Sequence, residues 1–136
     1  MAIATVHGSF KEFIIPTANS QPVGITKGPD GNLWFTESAL SANKIGRLTP
    51  AGLFSEFPVP TAKSGLFDIT NGGNGTLEFT EFSAGQIGRI TLRGNVTEFA
   101  IPTSNAGPFG ITRGASGVLL FAENNANRIG ELTLTS

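Results

Sequence analysis

Glutamate recurs at one position of a repeated pattern, as Glu37, Glu81 and Glu123. Each ends a short, mostly apolar stretch: Leu33-Trp34-Phe35-Thr36-Glu37, Leu77-Glu78-Phe79-Thr80-Glu81 and Leu119-Leu120-Phe121-Ala122-Glu123. Carboxylates at equivalent positions of a closed repeat would ring its axis, where their oxygens could hold a hard divalent cation such as magnesium. The same residues admit a plainer reading, favoured by the residue types: pairing across a hairpin, Glu37 with Lys44, Glu81 with the amide of Gln86, and Glu123 with Arg128. Asn43 and Asn127 stand just ahead of two of those partners and complete a candidate ligand-binding set on one face of the repeat. Around them Thr17, Asn19, Thr61, Ser64 and Asn105 make a neutral polar rim. Such a rim suits a small polar ligand, a sugar or a peptide, and equally suits plain solubility.

Other reactive types are scarce. The chain has one histidine, His7, ahead of the first repeat, and neither cysteine nor tyrosine. Acid–base catalysis near neutrality wants a side chain that titrates there, so no catalytic residue is assigned. Asp30-Gly31-Asn32 and Gly72-Gly73-Asn74-Gly75 carry the glycines of ion- or phosphate-binding loops. Neither opens a helix or holds an EF-hand acidic run, and both read as hairpin turns. Trp34, the single tryptophan, reads as a core residue. A net charge of −1 with 14% charged residues offers no basic footprint for nucleic acid or a membrane surface. The first ten residues lack a basic and apolar leader, and no apolar run is long enough to span a bilayer, so a cytoplasmic location is expected.

The elements that must position the glutamates repeat with them, at spacings of 44 and 42 residues. Gly24-Ile25-Thr26 returns as Asp68-Ile69-Thr70 and Gly110-Ile111-Thr112, and Lys44-Ile45-Gly46-Arg47 as Gln86-Ile87-Gly88-Arg89 and Arg128-Ile129-Gly130-Glu131. Glu12-Phe13-Ile14-Ile15-Pro16-Thr17 returns as Glu56-Phe57-Pro58-Val59-Pro60-Thr61 and Glu98-Phe99-Ala100-Ile101-Pro102-Thr103. Apolar stretches of five to seven residues between Gly, Pro and Asn turns predict β-strands rather than helices. A period of this size with four strands per repeat predicts β-propeller blades. The predicted order is a lone outer strand over 9–15, then three inner strands, with the pattern repeating until the chain ends on three inner strands. That makes one all-β propeller segment over 1–136, with repeats at about 9–52, 53–94 and 95–136.

The motifs EF-x-x-PT, P-x-GIT-x-GPDGNLWFTE and NKIGR-[LI]-T resemble those of the virginiamycin B lyase (streptogramin lyase) family of β-propellers, over roughly residues 9–134. Glu78 and Leu120 depart from the pattern at the place of Trp34, and Glu131 at the place of Arg47. The resemblance implies a seven-bladed ring in a chain about twice this long. It also implies an elimination that linearises a cyclic depsipeptide, served by histidines, a glutamate beside the channel, and magnesium. His7 matches none of those histidines. Three blades do not close a ring, and the bare end faces expose more apolar area than a monomer usually shows. Covering several hundred Å² at each junction stabilises by several kcal/mol, at ~25 cal/mol per Å² before association costs. The expectation is self-association, with residues 9–15 completing the last blade of a second chain. Two chains give six blades, within the usual propeller range, and three give nine, outside it, so a homodimer is favoured over a trimer. The leading functional expectation is a binding or scaffold module. The alternative is a metal-dependent, lyase-like elimination, and a part-gene or engineered fragment whose only property is assembly is a third reading.

Overall fold

The computed structural model describes residues 5–135, so residues 1–4 and 136 of the expected segment lie outside the described residues. Among the described residues, eleven strands form three antiparallel sheets. The first sheet runs β1 (Pro22–Lys27), β2 (Leu33–Glu37), β3 (Lys44–Leu48), β4 (Phe54–Pro58) in spatial order. The second repeats it as β5 (Leu66–Asn71), β6 (Thr76–Glu81), β7 (Gln86–Thr91), β8 (Val96–Ala100). The third has only three strands, β9 (Pro108–Arg113), β10 (Val118–Glu123) and β11 (Arg128–Thr133), and β11 is left as an edge. Residues 9–15, expected as a twelfth strand, form none. A strand needs a ladder partner, and the outer place of the first sheet, which those residues lie beside, is already filled by β4.

The three sheets stack like slices of a wedge. Strand alternation sends Trp34, Ile45 and Val59 of the first sheet against Leu66, Ile69, Leu77, Phe79 and Ile90 of the second. Ile87 packs with Ile111, Leu119 and Phe121 at the second junction. Trp34 is fully buried, stacks on Phe57 at 5.7 Å between ring centroids, and donates its indole N–H to Asp30 Oδ1 at 3.0 Å. The Arg47 guanidinium sits 5.4 Å from both rings. This is the core role expected of Trp34.

Hydrogen bonds also cross the junctions. Each inner strand bulges near its start, between Pro22 and Ile25 in β1 and between Leu66 and Ile69 in β5, which strips backbone groups of their ladder partners. Thr36 Oγ1 accepts from Gly24 N at 2.9 Å and donates to Phe67 O of the next sheet at 2.8 Å. Thr80 does the same, accepting from Asp68 N at 3.0 Å and donating to Phe109 O at 2.7 Å. Ala122 stands at this position in the third sheet and has no hydroxyl to offer.

The wedge is apolar at both ends. Ile25 is 64% exposed on the outer face of the first sheet and Ile129 is 74% exposed on the outer face of the third. No helix among the described residues is long and apolar enough to cross a membrane.

The threonine bridges make a direct prediction. Thr80→Val keeps the shape but leaves Asp68 N–H and Phe109 C=O unpaired in the junction, so it should cost about 1–3 kcal/mol of unfolding free energy by denaturant titration. Thr112→Val, at an exposed position of β9 with no side-chain hydrogen bond among the described residues, should cost much less.

Candidate functional site

The third strand of each sheet carries a glycine directly opposite a phenylalanine of the second: Gly46 opposite Phe35, Gly88 opposite Phe79, Gly130 opposite Phe121. A Cβ at any of these glycines would strike the facing ring. Two residues after each phenylalanine, on the same face, comes the glutamate of the recurring set. Glu56 and Glu98 of the fourth strands lie opposite the same glycines from the other side. The bare glycine therefore lets a second-strand glutamate reach over the third strand to a fourth-strand glutamate.

The result is a carboxyl pair in each of the first two sheets. Glu37 and Glu81 are fully buried. No N–H or O–H of a neighbour reaches either oxygen of Glu37, and its neighbour is the carboxyl of Glu56. Two acceptors facing each other are reconciled only by a proton between them. Burial, followed by the hydrogen bond and charge of Glu56, pushes the Glu37 pKa up to about 8. Burial works against ionisation of Glu56 too, yet hydrogen bonds from Glu37 and Thr17 hold it below the usual value, so Glu56 carries the charge. In the second sheet burial, then Glu98, raises Glu81 to about 9.

Each pair lies beneath polar neighbours that also repeat. Lys44 Nζ donates to Thr17 Oγ1 at 3.0 Å, and that hydroxyl donates to Glu56 Oε2 at 2.7 Å. Gln86 Nε2 donates to Thr61 Oγ1 at 3.0 Å and to Glu81 Oε1 at 3.2 Å. Arg128 Nη1 donates to Thr103 Oγ1 at 3.3 Å. The hairpin registers expected from sequence are all present, Glu37 with Lys44, Glu81 with Gln86 and Glu123 with Arg128. Of the three expected side-chain contacts, only Gln86 to Glu81 is a hydrogen bond. Lys44 and Arg128 turn to the threonines instead. Glu123 is buried like its counterparts, and its Oε1 has no partner among the described residues.

Asn43 is a loop fastener. It adopts a left-handed backbone (φ 51°), donates to Thr61 O at 2.7 Å, and accepts from Ser64 N and Oγ at 3.1 and 2.8 Å. Asn127 has the same backbone (φ 57°) but is exposed, with no side-chain hydrogen bond among the described residues. The five candidate residues thus sit at equivalent places of three separate blades. The glutamates point into the sheets rather than together into one cavity. Each buried pair offers a cation two carboxylates, and no group of three potential ligands comes together among the described residues. The fit to magnesium is poor. Sequence reasoning missed Glu56 and Glu98, although their recurrence at the same period was the signal that could have found them.

The chain matches the virginiamycin B lyase family over residues 2–136. It belongs to that family. Among solved structures it is 47% identical to a catalytically inactive histidine-to-alanine variant of virginiamycin B lyase from Staphylococcus aureus, crystallised with quinupristin, with a TM-score of 0.90. The match covers 95% of this chain and 43% of that one. A selenomethionine-substituted virginiamycin B lyase from Staphylococcus aureus (41% identity, TM-score 0.83) and a streptogramin B lyase (39%, 0.82) match over 95% of this chain and 46% of each of theirs. The chain spans less than half the length of these relatives. The match to solved propellers of this family confirms the all-β blade architecture expected from sequence.

For this lyase-family chain the carboxyl pairs set a pH dependence. The folded pKa values of Glu37 and Glu81 lie above the ordinary carboxylate value, so between about pH 4.5 and 9 the native state holds protons that the unfolded state releases. Stability should therefore fall as pH rises across that window, by up to ~1.4 kcal/mol per pH unit for each proton held. The double variant Glu37→Gln/Glu81→Gln, whose amides donate to Glu56 and Glu98 at any pH, should flatten the profile measured by denaturant titration.

Proposed function

We propose that this chain is a self-assembling propeller segment, two copies of which close a six-bladed ring and act as a binding or scaffold module through the polar rim. One observation carries the reading. Residues 9–15 lie against the first sheet without a strand partner, while β11 lies open at the far end of the wedge. Ring closure pairs the two and covers both apolar end faces. The rim residues suit a small polar ligand, whereas Glu37 and Glu81 at its base are used up in carboxyl pairs. Absolute mass in solution tests this. Light scattering should give about 28 kDa, twice the 14.1 kDa of the chain. A mass of about 14 kDa at micromolar concentration sinks the reading, and about 42 kDa replaces the dimer by a trimer. Removing residues 1–15 should convert the assembly to open, aggregating species.

Family membership favours a second reading, an elimination of the kind carried out by virginiamycin B lyases. The inactive Staphylococcus aureus variant lost a histidine, and the one histidine here, His7, is exposed ahead of the first blade. Cleavage of quinupristin by the purified chain with magnesium, lost in Glu37→Gln/Glu81→Gln, would put this reading first. With the binding reading, quinupristin stays intact in the same assay.

A further inference from the structure

We propose that the polar cluster of the third blade is completed in trans, by Lys11 and Glu12 of a second copy of this chain adding residues 9–15 along β11 in one fixed register. The inference rests on the ring-assembly reading above and specifies how its junction is recognised.

Residues 9–15 are already seated as the outer strand of a preceding blade would be. In the first junction Phe57 of β4 fills the space above Gly94, a turn glycine of the next sheet. Phe13 lies over Gly52, the equivalent turn glycine, with its ring 3.3 Å from where a Cβ would stand. The Lys44–Thr17 hydrogen bond at 3.0 Å, the Gln86–Thr61 bond at 3.0 Å and the Arg128–Thr103 bond at 3.3 Å also correspond. One side of the segment is thus docked and its backbone edge is left free.

The register follows from the repeat. β3 pairs with β4 as Lys44–Pro58, Ile45–Phe57, Gly46–Glu56, Arg47–Ser55 and Leu48–Phe54, and β7 with β8 in the same way. Carried to the third blade, this sets β11 against the incoming strand as Arg128–Ile14, Ile129–Phe13, Gly130–Glu12, Glu131–Lys11 and Leu132–Phe10. One feature of that pairing is independent of the repeat, and a second follows from it. First, the third strand carries Arg47 and Arg89 where its neighbours on the fourth are the neutral Ser55 and Thr97, but Glu131 where the neighbour becomes Lys11. The charge of the third strand reverses in the one blade whose outer strand would bring a cation. Second, Glu12 falls opposite Gly130, where Glu56 and Glu98 fall opposite Gly46 and Gly88. It would meet Glu123, whose buried Oε1 lacks a partner, beside the Thr103 hydroxyl.

Exposed Asn127 would then find the loop that Asn43 finds. Asn43 holds Val59, Thr61 and Ser64, and their counterparts on the incoming chain are Ile15, Thr17 and Ser20.

Charge exchange and cross-linking test the junction in the full chain. Lys11→Glu and Glu131→Lys should each weaken dimerisation roughly tenfold, since like charges face each other at both junctions of the ring, and the double variant should recover most of the loss. The chain has no native cysteine. Oxidised Lys11→Cys/Glu131→Cys should run as a covalent dimer on a denaturing, non-reducing gel, because directly opposed strand residues come within disulfide range. Glu12→Cys/Glu131→Cys, one residue out of register with its thiols on opposite faces, should not. A wild-type monomer would remove the ring reading and this inference together. A wild-type dimer without rescue in the charge exchange, or cross-linked equally by both cysteine pairs, would keep the ring and overturn the register. A disulfide within one chain would overturn exchange between copies.

Discussion

Each blade depends on a side chain that is absent. Gly46, Gly88 and Gly130 sit at the centre of the third strand, and the space a Cβ would take is occupied by the ring of Phe35, Phe79 or Phe121. The ring stands over the bare third strand and is itself buried. In the second and third sheets it also becomes packing for the junction behind, with Phe79 in the first core cluster and Phe121 in the second. Because the third strand is bare at that point, the glutamates on either side of it can meet. The same glycine therefore serves the apolar core and the buried carboxyl pair, and a larger residue there would displace both.

Most of the architecture was legible in the sequence because the repeat states each element three times. The strand ends fall within a residue or so of those read from Gly, Pro and Asn turns, and the hairpin partners of Glu37, Glu81 and Glu123 are the ones expected. What was not legible has one physical cause: sequence spacing gives the partner one strand away, but not the partner two strands away. Glu37 and Glu56 lie on strands that never touch, and only the bare Gly46 between them brings their carboxyls together. Spacing along the chain does not show this, and the glutamates of the candidate set are found buried within the blades. Residues 9–15, expected to pair with a second chain, form no strand within this one. Their pattern is that of a strand, and strand pattern records the face a segment presents rather than whether an edge is available to it.

The departures from the repeat come with matching changes around them. Trp34, Glu78 and Leu120 occupy one position of the second strand, and Arg47, Arg89 and Glu131 face them on the third. In the first sheet the guanidinium lies over the indole. In the second, Glu78 is buried and its pKa is raised by that burial, with Arg89 at 4.0 Å and the Thr76 hydroxyl at 2.8 Å offsetting part of the cost. In the third, leucine needs no cation beside it, and the arginine is gone. Side chains that look like decay of a motif are thus changed in pairs, each set by what its neighbour can satisfy.

Buried carboxyl pairs are poor stabilisers, since two desolvated acids share one proton and leave little net gain. Their value lies in what they forbid. A strand that slips by one residue turns its glutamate to the other face and leaves the partner carboxyl buried without a proton donor, at a cost of several kcal/mol. Large apolar residues recur at equivalent places of the blades, as Phe57 and Phe99 do in β4 and β8, so apolar contact alone distinguishes one blade's outer strand from another's only weakly. A pair of acids that tolerates a single register supplies the discrimination that the apolar surfaces lack. A propeller assembled from near-identical blades needs that discrimination most at the edges where chain continuity does not impose the pairing.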